Sequence, residues 1–390
     1  MPEVAIVGAG QTRFGDFPDR GVKELFAEAY QETLASVDRG MDPADIQAAY
    51  IGCLSAGGGF QLGQLAPLLT SYVGLPDIPS LRVENACASG GYALVAAICA
   101  VASGRYDLVL AAGVEKMRDA SANRARYWLG VSGDTEYERL AGLTFAGIYA
   151  TMARRYMEEY ALKREHLALV AVKNHAHGAQ NPKAQFQRQV DVDTVLRGPE
   201  VASPLGVWDC CSTTDGAACV LVASARVARS FTDRPVYVMG WGAASDHLAI
   251  HDRARITSLR ATVSACRQAY QQAGVGPQDL DLAEVHDCFT IAEIMAYSDL
   301  GLCEEGRNAA LLESGATRLG GSIPVNVSGG LKAKGHPLGA TGIGMACEIF
   351  WQLRGQAELP SRQVKDAQIA LSHNVGGSGG SAVVVVYRGG

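Results

Sequence analysis

Residues 83–92, Val-Glu-Asn-Ala-Cys-Ala-Ser-Gly-Gly-Tyr, decide the fold of this chain. An apolar segment ends at Leu81, and an alanine-rich segment with a helical apolar face follows from Gly91 to Ala102. Cys87 is therefore predicted at a corner between a strand and a helix. At such a corner the unpaired N–H groups and the positive end of the helix dipole stabilise a thiolate. A buried cysteine in a tight turn fits this stretch equally well.

Length and composition favour a compact α/β protein of two or three domains. The chain has 390 residues, 48% of them hydrophobic and 19% charged, and it contains 45 glycines. The formal net charge of -6 is too mild for a nucleic-acid-binding surface. The 10 cysteines are spaced neither as a disulfide scaffold nor as a zinc site. We recognise no signal peptide, peroxisomal address or membrane span, so we expect a cytoplasmic protein.

The second half of the chain repeats the first. Six segments recur in the same order, and the second copies lie at 235–240, 269–271, 276–286, 325–330, 366–372 and 379–387. Their first copies lie at 4–8, 29–31, 42–52, 85–91, 107–113 and 216–224. This repetition predicts two copies of one βα-layered domain about a pseudo-twofold axis. The active site is expected where the two copies meet.

Two glycine-rich segments of the first half are predicted to be loops. Gly8-Ala-Gly10 follows a strand as a dinucleotide-binding loop does, but position 13 is Arg and the next helix begins only near Val22. We therefore expect a plain tight turn at Gly8–Gly10. Gly57–Gly59 begin a predicted loop that leads into a helix ending near Val73.

Three later stretches place reactive side chains beside predicted turns. Val285-His-Asp-Cys-Phe-Thr290 brings an imidazole and a thiol to one corner, although such a pair is more often structural. Gly335-His336-Pro337 lies in a glycine-dense loop that a ligand can approach closely, so His336 is a candidate base. Residues 373–380, His-Asn-Val-Gly-Gly-Ser-Gly-Gly, offer closely spaced backbone N–H groups for an oxyanion.

These stretches, in this order and spacing, resemble the motifs of the thiolase family over essentially the whole chain. The stretch around Cys87 resembles the nucleophile loop of that family, and Gly335–Pro337 resembles its Gly-His-Pro motif. His286-Asp-Cys288-Phe is similar to the version in archaeal acetoacetyl-CoA thiolases and sterol-carrier-protein-X-type thiolases. Many other thiolases carry a second reactive cysteine where this chain has Asn374, so the second thiol would come from Cys288.

The resemblance implies an α/β, thiolase-like fold. Two pseudo-twofold-related βαβαβαββ halves would form an α-β-α-β-α layered arrangement with an inserted loop domain. The N-terminal half would comprise residues 1–115 and 215–230, the loop domain 116–214 would cover coenzyme A, and the C-terminal half would comprise 231–390. Polar candidates for coenzyme A contacts in the loop domain are Lys173, His175, His177 and Arg188. A solvated surface is the simpler expectation for each of these four side chains.

The resemblance also implies a role for each motif residue. His336 would take the proton of Cys87, whose thiolate would attack an acyl-CoA thioester and form an acyl-enzyme. Cys288 would then remove an α-proton from a second acyl-CoA, while His286, with His336 and a water, would hold the enolate oxygen. The backbone N–H groups of Cys87 and Gly376 would bind the acyl carbonyl oxygen. Coenzyme A would enter and leave with the substrates, and no metal or redox cofactor would be needed.

The expected reaction is the Claisen condensation of two acetyl-CoA to acetoacetyl-CoA and its reverse. One alternative is degradative cleavage of longer or branched 3-oxoacyl-CoA. Another is a thiolase-like subunit that is non-enzymatic or acts as a retro-aldolase, but such a subunit should lack motif cysteines or histidines. The resemblance further implies a homodimer or homotetramer. It also implies a complex in which a small zinc-ribbon/OB-fold protein links the thiolase to hydroxymethylglutaryl-CoA synthase. We expect no contact with nucleic acid or membrane.

Overall fold

The computed structural model describes residues 3–55 and 63–390, and every structural statement below refers to these residues. The predicted loop at Gly57–Gly59 lies outside them. The strands are β1 (Val4–Gln11), β2 (Ala48–Gly52), β3 (Ser80–Val83), β4 (Leu108–Glu115), β5 (Glu200–Ala202), β6 (Leu205–Gly206), β7 (Gly216–Ser224), β8 (Val236–Ser245), β9 (Leu282–Glu284), β10 (Ile369–Gly376) and β11 (Ser381–Gly389).

The helices follow the predicted amphipathic and alanine-rich segments. They are α1 (Val22–Ala35), α2 (Leu65–Tyr72), α3 (Ser89–Ala102), α4 (Ala122–Gly130), α5 (Phe145–Tyr160), α6 (Arg164–Gly178), α7 (Val192–Leu196), α8 (Ala225–Phe231), α9 (Arg260–Ala273), α10 (Thr290–Asp299), α11 (Asn308–Glu313), α12 (Gly330–Ala333) and α13 (Leu338–Leu353). None of these helices is long and apolar enough to cross a membrane.

Nine strands form one mixed sheet in the order β3-β2-β4-β7-β1-β8-β11-β10-β9. Outward from the centre, the first half runs β1-β7-β4-β2-β3 and the second runs β8-β11-β10-β9. A parallel bridge between Ala283 and Val325 takes the place of the fifth strand in the second half. Strands β1 and β8 pair antiparallel, with Val4 opposite Val238. Because both halves share one strand order, the predicted pseudo-twofold repeat is confirmed.

Three hydrophobic cores separate the layers. The central core includes Ile98 of α3 and Ile343 of α13, which pack against each other and against strands of both halves. The outer core of the first half includes Phe26 of α1, and that of the second half includes Ala265 of α9. The two halves of the nine-stranded sheet therefore form two β layers on either side of the central helices α3 and α13, with α1 and α9 outside them, as the α-β-α-β-α prediction requires.

Glycines allow α3 and α13 to meet at their N-terminal ends. A Cβ added to Gly90 would lie 2.6 Å from the carbonyl oxygen of Gly339, and one added to Gly342 would lie 2.3 Å from the nitrogen of Gly91. Any side chain at these positions would push the two helices apart. The contact therefore brings the corner before α3 next to the loop before α13.

Two local predictions are wrong. Gly8 and Gly10 are not in a turn but inside β1. A Cβ at Gly10 would lie 2.4 Å from the nitrogen of Thr33, so this glycine allows α1 to pack closely on the strand. The sequence pattern also predicts that the helix after His336 spans 344–353, but α13 begins earlier, at Leu338. Nearly all of this helix is buried, so its sequence lacks the polar face that marks where an amphipathic helix begins.

The segment between β4 and β7 carries helices α4 to α7 and the hairpin of β5 and β6. Its longest helices, α5 and α6, contact α10, and α6 also contacts α11 and α12 of the second half. The long helices of this segment therefore pack on the half of the chain that follows it, while Lys183 of the same segment contacts Gln11 and Glu32 of the first half.

Candidate active site

Cys87 lies at a strained corner two residues before α3. The preceding residue, Ala86, has a φ of +50°, a left-handed conformation that is uncommon for alanine. The carboxylate of Glu84 accepts the N–H of Ala86 at 2.7 Å. The hydroxyl of Ser89 accepts the N–H of Asn85 at 2.9 Å and donates to the Ala86 carbonyl at 2.6 Å. These bonds hold the turn that presents the thiol.

The corner brings Cys87 together with two predicted histidines. The sulfur of Cys87 and a ring nitrogen of each of His286 and His336 lie within 4.8 Å of one another. The two imidazole rings meet edge to face, with centroids 5.2 Å apart and an interplanar angle of 80°. Both histidines are buried. Three stretches that are far apart in the sequence thus converge on one point between the two halves.

Burial makes the resting site neutral. It raises the pKa of Cys87 to about 12, with a smaller contribution from the charge of Glu115 and an opposing one from the N–H of Gly377. It lowers the pKa of His336 to about 3 and that of His286 well below its usual value. Backbone N–H groups of Gly377 and Cys87 lower the pKa of this thiol, but the loss of water around the sulfur raises it by more.

The contacts of His336 leave one ring nitrogen free. The hydroxyl of Thr341 lies 2.7 Å from Nδ1 of His336 and donates to the carbonyl of Pro337 at 3.0 Å. Because the single hydroxyl proton goes to that carbonyl, the hydroxyl oxygen accepts a hydrogen bond from Nδ1–H. Nε2 is buried without a partner in the described part of the chain. Its lone pair is available to accept a proton from the neighbouring thiol.

Asn374 links the nucleophile corner to His286. Its Oδ1 accepts the N–H of Gly91 at 3.1 Å. Its Nδ2 lies 3.0 Å from the carbonyl oxygen of Cys87 and 3.2 Å from Nδ1 of His286. The Nε2 atom of His286 is also buried without a partner among the described residues. One amide thus contacts both the backbone of the nucleophile and an imidazole.

Cys288 lies in the same pocket as Cys87 and is buried, whereas Cys87 is partly exposed. Burial raises the pKa of Cys288 well above its usual value, and the nearby thiols of Cys211 and Cys87 raise it further, while a hydrogen bond with Tyr149 lowers it. Tyr149 donates its hydroxyl proton to the Gly377 carbonyl at 3.0 Å. The structure therefore places a second thiol and a phenol beside the nucleophile.

Sequence reasoning missed Tyr149, Cys211 and Gly377. Tyr149 lies in the middle of α5, where no motif marks it. Cys211 could be recognised only as half of an adjacent cysteine pair, yet its N–H donates to the Cys288 carbonyl at 2.9 Å. Gly377 follows the predicted Gly376, and its N–H rather than that of Gly376 contacts the sulfur of Cys87.

The cavity beside Cys87 is small and mostly apolar. Its volume is about 110 Å³, and it is lined by Cys87, Met117, Leu129, Phe145, Tyr149, Cys211, Ser212, Thr213, Cys288, Phe289, His336, Leu338 and Gly377. Met117, Leu129 and Leu338 also line a second crevice of only about 10 Å³, which includes Trp128. A crevice of that size hardly holds one water. These three side chains therefore close the far end of the cavity.

The loop that carries His336 is anchored on α6. The ammonium of Lys173 donates to the carbonyl of Val325 at 2.8 Å, and Nδ1 of His177 lies 2.9 Å from the carbonyl of Asn326. Further along, the backbone N–H of Phe186 donates to the Ala333 carbonyl at 3.0 Å. The inserted segment thus holds the start and the middle of the loop.

A buried ion pair supports the same anchor. Lys173 and Glu293 lie 2.9 Å apart, with side chains 1% and 0% exposed. The amide of Asn174 donates to the carboxylates of Asp287 and Glu293, both at 2.7 Å. Asp287 belongs to the motif of His286 and Cys288. The network therefore ties α6 to two of the motif stretches.

The expectation of solvated side chains on α6 is wrong for three of the four coenzyme A candidates. Lys173, His175 and His177 are buried, whereas Arg188, which lies beyond the helix, is exposed. The polar residues of α6 face the second half of the chain and find partners there, as Lys173 and His177 do. A polar helix face that is buried against polar partners cannot be distinguished from a solvated one by sequence pattern.

Two family models match almost the whole chain. "Thiolase, N-terminal domain" matches residues 4–226, and "Thiolase C-terminal domain-like" matches residues 242–389. The chain is 47% identical over 387 residues to an acetyl-CoA acetyltransferase of Methanothermobacter thermautotrophicus, covering 99% of this chain and 100% of that one. It is 41% identical to an acetyl-CoA acetyltransferase of Methanocaldococcus jannaschii, with 98% of each covered.

Animal relatives and solved structures give the same picture. The chain is 35% identical to sterol carrier protein 2 of Rattus norvegicus, covering 100% of this chain and 72% of the relative. The structure of an Ltp2-ChsH2(DUF35) aldolase matches with a TM-score of 0.85 and 25% identity, covering 98% and 97% of the two chains. Human mitochondrial 3-ketoacyl-CoA thiolase shares the fold, with a TM-score of 0.76, 19% identity and coverage of 99% and 98%.

Proposed function

Because the chain belongs to the thiolase family, we propose that it is an acetyl-CoA acetyltransferase. It condenses two acetyl-CoA to acetoacetyl-CoA and coenzyme A and catalyses the reverse thiolysis through an acetyl-Cys87 intermediate. The observation that carries this proposal is the convergence of the Cys87 sulfur with two buried imidazoles within 4.8 Å. A neutral imidazole beside a buried thiol is the arrangement that nucleophilic acyl transfer needs.

In the first step, Nε2 of His336 accepts the thiol proton as the sulfur of Cys87 attacks the thioester carbonyl. The bond between the carbonyl carbon and the coenzyme A sulfur breaks, and the leaving thiolate receives the proton. Because burial holds both partners neutral, proton transfer accompanies the attack and does not precede it. The N–H of Cys87, with those of the turn at Gly376 and Gly377, supports the negative charge on the carbonyl oxygen.

In the second step, Cys288 in its thiolate form takes an α-proton from a second acetyl-CoA and becomes a thiol. His286 donates a hydrogen bond to the enolate oxygen, and the enolate carbon attacks the acetyl group on Cys87. The bond between that acetyl group and sulfur breaks, and the proton passes from Cys288 to the sulfur of Cys87. Tyr149 supports Cys288 when its hydroxyl turns from the Gly377 carbonyl to the sulfur, because a hydrogen bond there favours the thiolate form, which must act as the base.

The size of the cavity favours an acetyl group over longer chains. Its volume of about 110 Å³ is closed by Met117, Leu129 and Leu338. Degradative cleavage of longer 3-oxoacyl-CoA is the second candidate. The crevice behind those three side chains is apolar and would receive a longer chain if Met117 moved. A non-enzymatic or retro-aldolase role is disfavoured because all four motif side chains are present.

Coenzyme A is proposed to lie under the segment 116–214. A second cavity of about 310 Å³ adjoins the first, and Cys211 and Ser212 line both. Arg188, Trp208 and Lys332 line the larger cavity, so its surface offers cations beside an aromatic ring. This surface suits the polar arm of coenzyme A, which must leave the small cavity on its open side.

The protein is proposed to work in the cytoplasm as a homodimer or homotetramer and to bind a small zinc-ribbon/OB-fold protein that links it to hydroxymethylglutaryl-CoA synthase. The solved structure with a TM-score of 0.85 carries a ChsH2(DUF35) component in its name, which supports a partner of this general kind. Native mass spectrometry after co-expression with neighbouring genes tests the proposal. A thiolase that carries neither partner under those conditions would contradict it.

The decisive experiment is intact-protein mass spectrometry after brief exposure to acetyl-CoA. The wild type should gain one acetyl group, and Cys87→Ala should gain none. Cys99→Ala is the matched control, because Cys99 is an exposed cysteine on α3, and it should be acetylated like the wild type. The same test with longer acyl-CoAs separates the two candidate functions. An unmodified wild type with every acyl-CoA would overturn the nucleophile assignment.

A further inference from the structure

We propose that Asn374 is a positioning residue that fixes the tautomer of His286, so that Nε2–H of this ring faces the reacting atoms as a donor. Thr341 fixes the opposite tautomer in His336, whose Nε2 is an acceptor. The two imidazoles thereby receive different roles from the side chains behind them. The inference rests on the proposed function because it specifies how the enolate oxygen is held.

The orientation of the Asn374 amide is set by two backbone groups. The N–H of Gly91 can only donate, so the atom facing it at 3.1 Å is Oδ1. The carbonyl of Cys87 can only accept, so the atom facing it at 3.0 Å is Nδ2. A flipped amide would place like groups against each other at both contacts. The flip ambiguity of a buried amide is therefore resolved by its neighbours.

The amide orientation then decides the tautomer of His286. The second proton of Nδ2 of Asn374 points to Nδ1 of His286 at 3.2 Å, so Nδ1 must accept. Burial keeps this ring neutral, and a neutral imidazole carries one proton. That proton lies on Nε2, which is buried and without a partner in the described structure. A buried donor left without an acceptor costs free energy, which a substrate oxygen would recover.

The same reasoning gives the opposite result for His336. Its Nδ1 donates to Thr341, and its unpartnered Nε2 carries the lone pair. The two free nitrogens therefore form a donor and acceptor pair beside Cys87. This division matches the chemistry, which needs one base for the thiol proton and one donor for the enolate oxygen.

The assignment also bears on metal binding. A sulfur and two imidazole nitrogens within 4.8 Å are ligand types that zinc accepts. A nitrogen that carries a proton offers no lone pair to a metal, and Asn374 keeps that proton on Nε2 of His286. The three side chains therefore fit acid–base and oxyanion roles better than metal ligation.

Nitrogen-15 NMR of the histidine-labelled protein tests the tautomers directly. The signals of His286 and His336 are assigned by their loss in His286→Gln and His336→Asn. In the wild type at neutral pH, His286 should carry its proton on Nε2 and His336 on Nδ1. A proton on Nδ1 of His286 would overturn the proposal. The measurement needs no substrate, so its outcome is independent of whether the proposed reaction is correct.

Asn374→Asp supplies the kinetic test, because a carboxylate of the same shape accepts from Nδ1–H and draws the proton away from Nε2. Condensation should fall by roughly 10²–10³-fold, the usual cost of one oxyanion donor. Acetylation of Cys87, followed separately, should fall far less. In Asn374→Ala nothing imposes the wrong tautomer, so condensation should fall less than in Asn374→Asp.

Two kinetic outcomes would contradict the proposal. Equal losses in Asn374→Asp and Asn374→Ala would indicate a structural role for the amide. A parallel loss of acetylation and condensation in Asn374→Asp would indicate that the new carboxylate acts on Cys87. Thr341→Val is the internal control for the NMR measurement, because it should leave the proton of His286 on Nε2. Failure of the wild type to be acetylated would instead contradict the proposed function.

Discussion

The corners before α3 and before α13 occupy equivalent places in the two halves, but they are held by different parts of the chain. The corner of Cys87 is short, and the side chains of Glu84 and Ser89 within it close the turn. The corresponding loop, 325–337, is longer, and its backbone carbonyls bind to Lys173, His177 and the residues that follow α6. The nucleophile is thus positioned locally, and the base is positioned by an insertion.

This difference indicates that the inserted segment also holds the loop that carries His336. Besides its proposed role of covering coenzyme A, it supplies the buried cation and imidazole against which the His336 loop is built. Substitutions in α6 should therefore disturb the position of His336 more than the position of Cys87.

His336→Asn should cause the largest loss. Without the imidazole no side chain takes the thiol proton, so acetylation and condensation should both fall by roughly 10²–10⁴-fold, the usual contribution of general base catalysis. Steady-state thiolysis and the rate of acetylation measure the effect. The control is His166→Asn, because His166 pairs with Glu313 away from the pocket. Unchanged acetylation in His336→Asn would show that Cys87 does not depend on this base.

Lys173→Met should destabilise the base corner by about 3–5 kcal/mol, because it leaves the carboxylate of Glu293 buried without its partner cation. Urea unfolding gives the free energy. Arg155→Met removes an exposed ion pair on α5 and should cost at most about 1 kcal/mol. The double variant Lys173→Met with Glu293→Gln should recover part of the loss. Equal losses of stability in Lys173→Met and Arg155→Met would contradict the conclusion that the His336 loop depends on the buried cation of α6.

His177→Gln should change the pH dependence of stability. Burial and the charge of Lys173 lower the pKa of His177 from 6.5 to about 3. As the pH falls, the unfolded chain therefore binds the proton first, and the stability present above pH 6.5 is lost towards pH 3. Between pH 7 and pH 5 this residue should account for about 2 kcal/mol of the loss. Urea titrations at both values should show a smaller difference in His177→Gln, and an unchanged difference would refute the assignment.

Thr341→Val should have the smallest effect. It removes the acceptor that holds Nδ1–H of His336, so the ring samples the wrong tautomer and acetylation should fall by about tenfold, or 1.4 kcal/mol. Thr70→Val is the matched control, since the hydroxyl of Thr70 bonds only to carbonyls of its own helix, α2, in the described structure. A loss in both variants would point to packing instead of proton placement.

The sequence predicts most of the fold because its signals are local. The two-half architecture follows from repeated segments, and the convergence of Cys87 with His336 follows from motifs that precede equivalent helices. A turn is predicted at Gly8 and Gly10 because the sequence does not show that α1, which is distant in the chain, packs against them. Glycine is needed at these positions to make room for that helix. A glycine needed for close approach has the same letter as one needed for a turn.

The site is less predictable because its energetics depend on distant packing. The neutral state of Cys87 results from burial by segments of both halves, which no window around the cysteine contains. Lys173 and His177 belong to a polar helix, and only the partner carbonyls of Val325 and Asn326 explain their burial. The motifs therefore predict which reactive side chains lie together, but they do not predict the protonation states of those side chains.

The antiparallel pairing of β1 with β8 bears on how such a chain could have arisen. A polypeptide of one half alone would present β1 as a free edge strand and α3 as a helix with one uncovered face. Two identical copies could cover both by joining edge to edge about a twofold axis. The present chain has the form that duplication and fusion of such a dimer would produce. One copy would then have kept the thiol, while the other acquired the imidazole and lost the need to be identical.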